Sequence, residues 1–176
     1  MTNWIPPEGS LIEDVLTGEE TINIFADTEL ASNCEEETFI IGRKIAGLLR
    51  SGSVVALRGT LGSGKTCLTK GIASGLGISE TITSPTYTII SEYPLPDNIW
   101  QKQQGLSPAL YHIDAYRLNN EEDFEQTGGS EIINSGGITI IEWSERIEKS
   151  LPENTINVTL EISGPSSRLI KIRGLN

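Results

Sequence analysis

The chain of 176 residues is long enough for one domain with a sizeable core and too short to favour two. Acidic residues outnumber basic ones by 24 to 13, which gives a formal net charge of −11; such a surface repels phosphate backbones and argues against tight binding of nucleic acid by this chain alone. The two cysteines fit neither a disulfide framework nor a metal site, and no stretch approaches the ~20 apolar residues of a membrane span, so we expect a cytoplasmic protein with no membrane association.

The N-terminal part of the chain is acidic and weakly patterned. Residues 1–20 mix proline, glycine and acidic residues, and we expect an extension without chemistry of its own, ahead of one domain at residues 21–176. The first 42 residues hold ten Asp or Glu and no Lys or Arg. This acidic surface suits a protein partner with basic patches, and it equally suits a solvated face that only aids solubility.

Three elements are predicted before the first motif. Residues 21–26 alternate polar and apolar side chains, which indicates a strand, and Asp27 or Thr28 then provides a cap or turn. Residues 35–50 place their apolar side chains largely on one helical face. The apolar run at residues 54–57 is typical of a buried strand.

Residues 59–66 read GTLGSGKT and fit the phosphate-binding pattern G-x-x-x-x-G-K-[ST], with a strand before them and a helix after them. Because Gly62 and Gly64 lack a β-carbon, the backbone can turn its N–H groups toward an anion at the positive end of the following helix. Lys65 is placed to reach the β- and γ-phosphates, and the Thr66 hydroxyl is a ligand for Mg²⁺. The sequence therefore predicts a magnesium nucleoside triphosphate bound by Gly62, Ser63, Gly64, Lys65, Thr66 and Cys67.

The remaining elements continue the alternation of helices and strands. A helix at residues 67–73 is expected to end at Gly75 and Gly77. Helices interleaved with apolar strands indicate an α/β fold, a three-layer P-loop NTPase-like domain whose sheet is mixed but mostly parallel, since its hairpins cannot be parallel. The further predicted elements are a strand at 87–93, a loop at 94–108, a strand at 109–113, a short helix at 121–126, a strand at 137–141, and a hairpin of strands 155–162 and 168–172.

Asp114 and Glu142 each come directly after an apolar strand. In an open α/β sheet, ligands bind at the carboxyl ends of the strands, where the phosphate loop also lies. The segment that ends in Glu142 has the form of a Walker B strand, which delivers an acid to the Mg²⁺ hydration shell or to the attacking water. We predict catalytic roles for Lys65, Asp114 and Glu142, and metal binding by Thr66 and Glu142. A helix cap or a surface charge is the alternative for either carboxylate.

Two side chains near these acids allow more than one interpretation. His112, the only histidine, precedes Asp114 by two residues on an alternating strand, so both can share one face. Phosphoryl transfer needs little proton chemistry, so a packed or hydrogen-bonded histidine is favoured over a general base. Trp143, next to Glu142, is either core filler or a lid over the nucleotide.

Four segments together closely resemble the TsaE family, formerly called YjeE, the bacterial ATPases of the threonylcarbamoyladenosine modification of tRNA. These segments are residues 59–66, the sequence SPTYT at residues 84–88, YHIDAYRL at residues 111–118 and IEWSE at residues 141–145. The resemblance runs in order from about residue 21 to the C-terminal strands.

The resemblance implies a small ATPase, with ATP and Mg²⁺ as cofactors, that docks on a heterodimer of the proteins TsaD and TsaB. TsaD transfers threonylcarbamoyl to adenosine 37 of tRNA, so the ATPase meets tRNA only through the complex. Hydrolysis in such families supports turnover of the complex and is slow in the isolated subunit. On this basis Lys65 and Thr66 hold phosphate and Mg²⁺, and Glu142 acts on Mg²⁺.

The same resemblance implies further roles. Asp114 assists the metal or the water, and residues 84–86 form a switch segment near the γ-phosphate. The region of Thr28 and the side chain of Arg168 contact the nucleotide. Thr60 departs from the family, which usually has Asp after the first glycine of the loop.

Two other function classes share the phosphate loop. A small-molecule kinase uses the same cradle but commonly carries an arginine-rich lid, and the arginines after the loop are scattered. A nucleotide-gated interaction module with little turnover differs from an ATPase only in rate. A GTPase is disfavoured because the base-reading Asn-Lys-x-Asp segment does not occur in the chain.

Overall fold

A computed structural model describes residues 27–85, 87–96 and 109–175. In chain order its elements are β1 (Thr28–Ser32), α1 (Glu35–Ala46), β2 (Val54–Arg58), α2 (Lys65–Gly75), β3 (Ile90–Pro94), β4 (Ala109–Asp114), α3 (Glu121–Gln126), α4 (Gly129–Ile133), β5 (Ile138–Glu142), β6 (Ile156–Ile162) and β7 (Arg168–Arg173). Short 3₁₀ segments follow β4 at Ala115–Arg117 and β5 at Ser144–Ser150. The extension expected at residues 1–20, the strand expected at residues 21–26 and most of the loop expected at residues 94–108 lie outside the described residues.

One sheet of seven strands organises the described residues, in the order β1-β7-β6-β2-β5-β4-β3. The four neighbours β6, β2, β5 and β4 pair in parallel, whereas β3 is antiparallel to β4 and β7 is antiparallel to both β6 and β1. All strands except β3 and β7 therefore run in the same direction. This arrangement confirms the prediction of a mixed, mostly parallel sheet.

Helical segments cover both faces of the sheet. Side chains alternate along each strand, so Leu57 and Ile140 join the core under α1 and α2, while Val54 and Ile141 join the core under α3 and α4. Phe124 of α3 is fully buried in the second core. The three layers predicted from the sequence are therefore present. No helix in the described part of the chain is long and apolar enough to cross a membrane.

Two predicted boundaries were wrong. The helix expected at residues 35–50 ends at Ala46, because the chain turns at Gly47 and brings Leu49 into the core from the turn. The strand expected at residues 87–93 begins only at Ile90, because Ile89 has φ of 66° and interrupts the extended backbone. The turn expected at Asp27 or Thr28 lies at Asp27, and Thr28 is the first residue of β1 and pairs with Ile172.

Candidate functional site

A cavity of about 620 Å³ lies at the carboxyl ends of the central parallel strands. Its floor is the phosphate loop between β2 and α2, and its walls come from the start of α1, the end of β5 and the turn between β6 and β7. The size suits a nucleotide-sized ligand. The lining residues are Cys34, Glu35, Thr38, Leu61, Gly62, Ser63, Gly64, Lys65, Thr66, Cys67, Ser84, Glu142, Trp143, Ser166 and Arg168.

The phosphate loop depends on glycines that no other residue replaces without strain. Gly62 and Gly64 have φ of 77° and 103°, in the left-handed region. Helix α2 begins directly after Gly64, so the N–H groups of its first turn have no helical carbonyl acceptors. These donors and the positive end of the helix dipole converge at the cavity floor. The loop therefore has the construction of an anion site.

Lys65 is nearly buried, with 5% of its surface exposed. Its Nζ donates hydrogen bonds to the carbonyl oxygens of Gly59, at 2.7 Å, and Thr60, at 3.1 Å, and lies 3.7 Å from the centroid of the Trp143 ring. Burial lowers the pKa of Lys65, and the nearby carboxylates, Glu142 first, partly offset that effect. The ammonium group is thus held at the cavity by carbonyl oxygens and an aromatic face.

Glu142 is the centre of the polar network. It is 3% exposed at the end of β5, and its Oε2 accepts a hydrogen bond of 3.0 Å from the hydroxyl of Thr66. Its Oε1 lies 2.9 Å from Nε2 of His112 and accepts a 3.4 Å bond from the hydroxyl of Thr69. The structure therefore brings together the two residues predicted to bind the metal, and it buries His112 in a hydrogen bond, as favoured from the sequence.

Asp114 lies beside Glu142 in register on the neighbouring parallel strand. Its Oδ2 accepts a 2.7 Å hydrogen bond from the hydroxyl of Ser84, and its Oδ1 accepts a 3.0 Å bond from the backbone N–H of Tyr116. Asp114 therefore caps the 3₁₀ turn that follows β4 and ties Ser84 to the cavity wall. Thr86, also expected near the nucleotide, lies outside the described residues.

Arg168 contacts the phosphate loop from its carbonyl side. Its Nε donates to the carbonyl oxygen of Ser63 and its Nη2 to that of Gly62, both at 3.0 Å. In a trans peptide the N–H points opposite to the C=O, so a carbonyl of Ser63 turned toward Arg168 directs the N–H of Gly64 the other way. Arg168 thus reaches the predicted site and holds the orientation of the loop amides.

The two remaining predicted contacts differ in their position. Cys67 lines the cavity, and its Sγ donates to the carbonyl oxygen of Glu35 at 3.3 Å. Burial raises the pKa of the Cys67 thiol from 9.0 to about 11. Thr28 is not among the described residues that line the cavity, because strand β1 lies at the edge of the sheet, beyond β7.

Several site residues were missed in the sequence. Thr69 follows Thr66 by three residues, so helical spacing was a signal that both hydroxyls face Glu142. Thr38, at the start of α1, had no such signal, because its place at the cavity depends on how α1 packs on α2. The positive φ of Trp143, 59°, turns its ring toward Lys65, and local pattern does not predict this conformation.

Comparisons with known proteins agree with this geometry. The family model described as "Threonylcarbamoyl adenosine biosynthesis protein TsaE" matches residues 32–170. A relative from Treponema pallidum, named tRNA threonylcarbamoyladenosine biosynthesis protein TsaE, is 40% identical over 141 residues, 80% of this chain and 96% of the relative. The protein of the same name from Bacillus subtilis is 38% identical over 135 residues, 77% of this chain and 78% of the relative.

Among solved structures, the crystal structure of YdiB from Bacillus subtilis superimposes with a TM-score of 0.63 at 28% sequence identity. The match covers 88% of this chain and 89% of YdiB. The family model, the sequence relatives and the solved structure therefore agree with one another, and the chain belongs to the TsaE family of P-loop proteins.

Proposed function

We propose that this protein is a magnesium-dependent ATPase that acts with a TsaD–TsaB complex in the threonylcarbamoyl modification of adenosine in tRNA. The observation that carries the proposal is the 3.0 Å hydrogen bond between Thr66, in the phosphate loop, and the buried carboxylate of Glu142. It joins the two residue types that hold a nucleotide-bound Mg²⁺ in phosphate-loop enzymes. The names of the relatives supply the tRNA pathway.

The cradle fits a triphosphate. A Cβ at Gly59 would lie 2.5 Å from the carbonyl oxygen of Leu160 in β6 and 2.6 Å from the hydroxyl oxygen of Ser63, so the start of the loop is packed tightly between β6 and the Ser63 side chain. Amide donors, the dipole of α2 and the ammonium group of Lys65 then face a polyanion. A bound phosphate would accept hydrogen bonds that the carbonyl oxygens of the loop now accept from Lys65.

The donor set also fits Mg²⁺. The ion prefers hard oxygen ligands and keeps several waters, so one or two protein oxygens suffice when phosphates supply the rest. Thr66 and Glu142 provide a hydroxyl and a carboxylate that already lie within hydrogen-bond distance of each other. Across the residues that the structure describes, no group of three or more His, Cys, Asp or Glu forms a closed metal cage. This arrangement suits an ion that arrives with the nucleotide.

We assign the hydrolytic roles to side chains of this chain. Glu142 would help to hold Mg²⁺ and would orient the attacking water, and Lys65 would stabilise the charge that develops on the transferred phosphoryl group. The metal, when bound, neutralises charge on the β- and γ-phosphates. Asp114 keeps Ser84 at the cavity wall through their 2.7 Å hydrogen bond, and we propose that this contact positions the start of the switch segment near the γ-phosphate.

The surface around the cavity supports a protein partner. Leu61 at the tip of the phosphate loop and Tyr87 are 82% and 86% exposed, and Tyr116 is 48% exposed. The rings of Tyr87 and Tyr116 carry the guanidinium groups of Arg117 and Arg146 against their faces. Exposed tyrosine, leucine and arginine side chains are common at protein contacts. We propose that TsaD–TsaB docks here, in the cytoplasm, and that tRNA is contacted only through that complex.

One set of measurements tests the ATPase. We expect calorimetry to detect binding of a non-hydrolysable ATP analogue that weakens when Mg²⁺ is removed and disappears in Lys65→Ala. Phosphate release should increase when TsaD–TsaB is added and should fall about 100-fold or more in Glu142→Ala, while binding of the analogue persists. Glu148→Ala is the control, because Glu148 is exposed and, among the described residues, its one ion pair is with Arg58 at the surface.

The rival functions correspond to other outcomes. Binding of the analogue without phosphate release, with and without TsaD–TsaB, would contradict the ATPase and leave a nucleotide-gated module. Transfer of phosphate to a small alcohol in place of water would indicate a kinase. Full activity in Glu142→Ala would move the assigned role to Asp114.

A further inference from the structure

His112 is the only histidine in the chain, and its side chain is fully buried beside the proposed catalytic carboxylate. Its Nε2 lies 2.9 Å from Oε1 of Glu142. In the sheet, His112 pairs with Ile140 on the parallel neighbour, so Glu142 is its diagonal neighbour on the same face. The strand register itself therefore delivers the imidazole to the carboxylate.

The contacts of Glu142 divide between its two oxygens. Oε1 interacts with His112 and with Thr69, whereas Oε2 accepts only from Thr66 in the described part of the chain. A carboxylate held at one oxygen by a rigid ring cannot rotate freely about its terminal bond. The other oxygen is thereby fixed toward Thr66, the side from which a metal ion reaches the phosphate loop.

The second ring nitrogen indicates the tautomer. Nδ1 of His112 is buried and has no hydrogen-bond partner in the described residues. A hydrogen on Nδ1 would be a buried donor without an acceptor, which costs more than an unpaired acceptor nitrogen. The ring therefore carries its hydrogen on Nε2 and donates it to Glu142.

We infer that His112 is a positioning residue that donates from Nε2 and so holds Glu142 in the orientation needed to act on the nucleotide-bound metal. The hydrogen bond and the tautomer stand on the structure of this chain alone. The effect on rate rests on the proposed ATPase function.

Nitrogen NMR of the imidazole tests the hydrogen bond directly. Since the chain has one histidine, a protein without a histidine tag gives the signals of His112 without any assignment. We expect one protonated and one unprotonated ring nitrogen, with the protonated one coupled to the ring protons as Nε2. Glu142→Gln should shift the Nε2 signal. A hydrogen on Nδ1, a doubly protonated ring, or a spectrum that Glu142→Gln leaves unchanged would overturn the inference.

Kinetics and binding test the positioning role. His112→Leu removes the donor, and we expect kcat to fall about 10- to 100-fold and the KM for ATP in the presence of Mg²⁺ to rise. The same variant should lose most of the gain in nucleotide affinity that Mg²⁺ provides, and its affinity without Mg²⁺ should stay unchanged. His112→Gln, which places an amide donor at a similar reach, should recover most of both losses.

A control variant separates positioning from packing. Thr139 is equally buried on β5, on the opposite face of the sheet, and its hydroxyl has no partner in the described residues. Thr139→Val should leave kcat and the effect of Mg²⁺ unchanged. Equal losses in His112→Leu and His112→Gln would overturn the positioning role. If wild-type protein binds no magnesium nucleotide, the proposed function fails, whereas the NMR result still decides the hydrogen bond.

Discussion

At the scale of single residues, the site shows how neighbours set the chemistry of a side chain. Cys67 lies in the cavity wall one residue after Thr66, a place where a thiol could react with an electrophile. Burial raises its pKa from 9.0 to about 11, and the nearby Glu35 carboxylate acts in the same direction. Because the thiolate is the nucleophile, the raised pKa lowers the reactivity of this cysteine at neutral pH.

The raised pKa predicts slow alkylation of Cys67. A shift of this size leaves about 100-fold less thiolate at pH 8 than an ordinary cysteine has, so iodoacetamide should label Cys67 about 100-fold more slowly than a free thiol peptide. Mass spectrometry of the peptide that contains Cys67 measures the rate. Labelling at the rate of the free peptide would contradict the burial of the thiol.

The same shift predicts a loss of stability at high pH. The folded thiol holds its proton more tightly than the unfolded one, so its contribution to the free energy of unfolding is complete below pH 9.0 and is lost as the pH approaches about 11. We expect the difference in unfolding free energy between wild type and Cys67→Ala to change in that window. A difference that stays constant from pH 8 to 11 would contradict the assignment.

At the scale of elements, glycines set the distance between α1 and α2. A Cβ at Gly71 would lie 2.1 Å from the carbonyl oxygen of Phe39, and a Cβ at Gly42 would lie 2.4 Å from that of Leu68. The two helix backbones therefore touch without side chains between them. Because α2 begins at the phosphate loop and α1 supplies Thr38 to the cavity, this contact also fixes the width of the nucleotide site.

The close contact predicts that Gly71→Ala destabilises the protein. The new methyl group meets backbone atoms that cannot move alone, and overpacking of this kind costs about 1–3 kcal/mol. Gly47→Ala is the matched control, because Gly47 has φ of −64° and a Cβ there meets only the carbonyl oxygen of Lys44, at 3.5 Å. That change should stabilise by about 0.4–1 kcal/mol. Urea unfolding of both variants measures the difference, and equal effects would contradict it.

Local patterns predicted the strands and helices that carry the site. The runs that became β2, β4 and β5, the loop at residues 59–66 and the acids at two strand ends were all found from spacing, because buried parallel strands and glycine-rich loops have strong local signals. The predicted end of α1 was wrong because Gly47 stops the helix while the apolar pattern continues through Leu49.

Contacts between distant segments were not predictable in the same way. The 2.7 Å hydrogen bond between Ser84 and Asp114 joins residues whose only relation is the packing of the folded chain. The late start of β3, after Ile89, likewise depends on a positive φ at Ile89 that is rare for a β-branched residue. Arg168 was placed near the nucleotide by resemblance, and only the register of β6 and β7 brings it to the carbonyl oxygens of the loop.

At the scale of the whole molecule, the polar residues of the site lie together at the carboxyl ends of the central strands, whereas charged residues are spread along the chain. The parallel strands β2, β4 and β5 bring the loop and both acids to these ends. The formal net charge is −11, so a phosphate group in the cavity meets local amides and one ammonium group rather than a basic field. A free triphosphate is small enough to enter this site. A long phosphate backbone would also contact the acidic surface of the protein, which repels it.

The net charge of −11 therefore predicts that tRNA reaches this protein only through its partners. In filter binding, we expect the isolated chain to retain no tRNA between about 50 and 200 mM salt, because lower salt strengthens repulsion between like charges as it strengthens attraction between unlike ones. Retention should occur when TsaD–TsaB is added, and TsaD–TsaB alone is the control. Binding by the isolated chain that rises steeply as salt is lowered would reveal a basic contact surface and contradict an indirect role in tRNA modification.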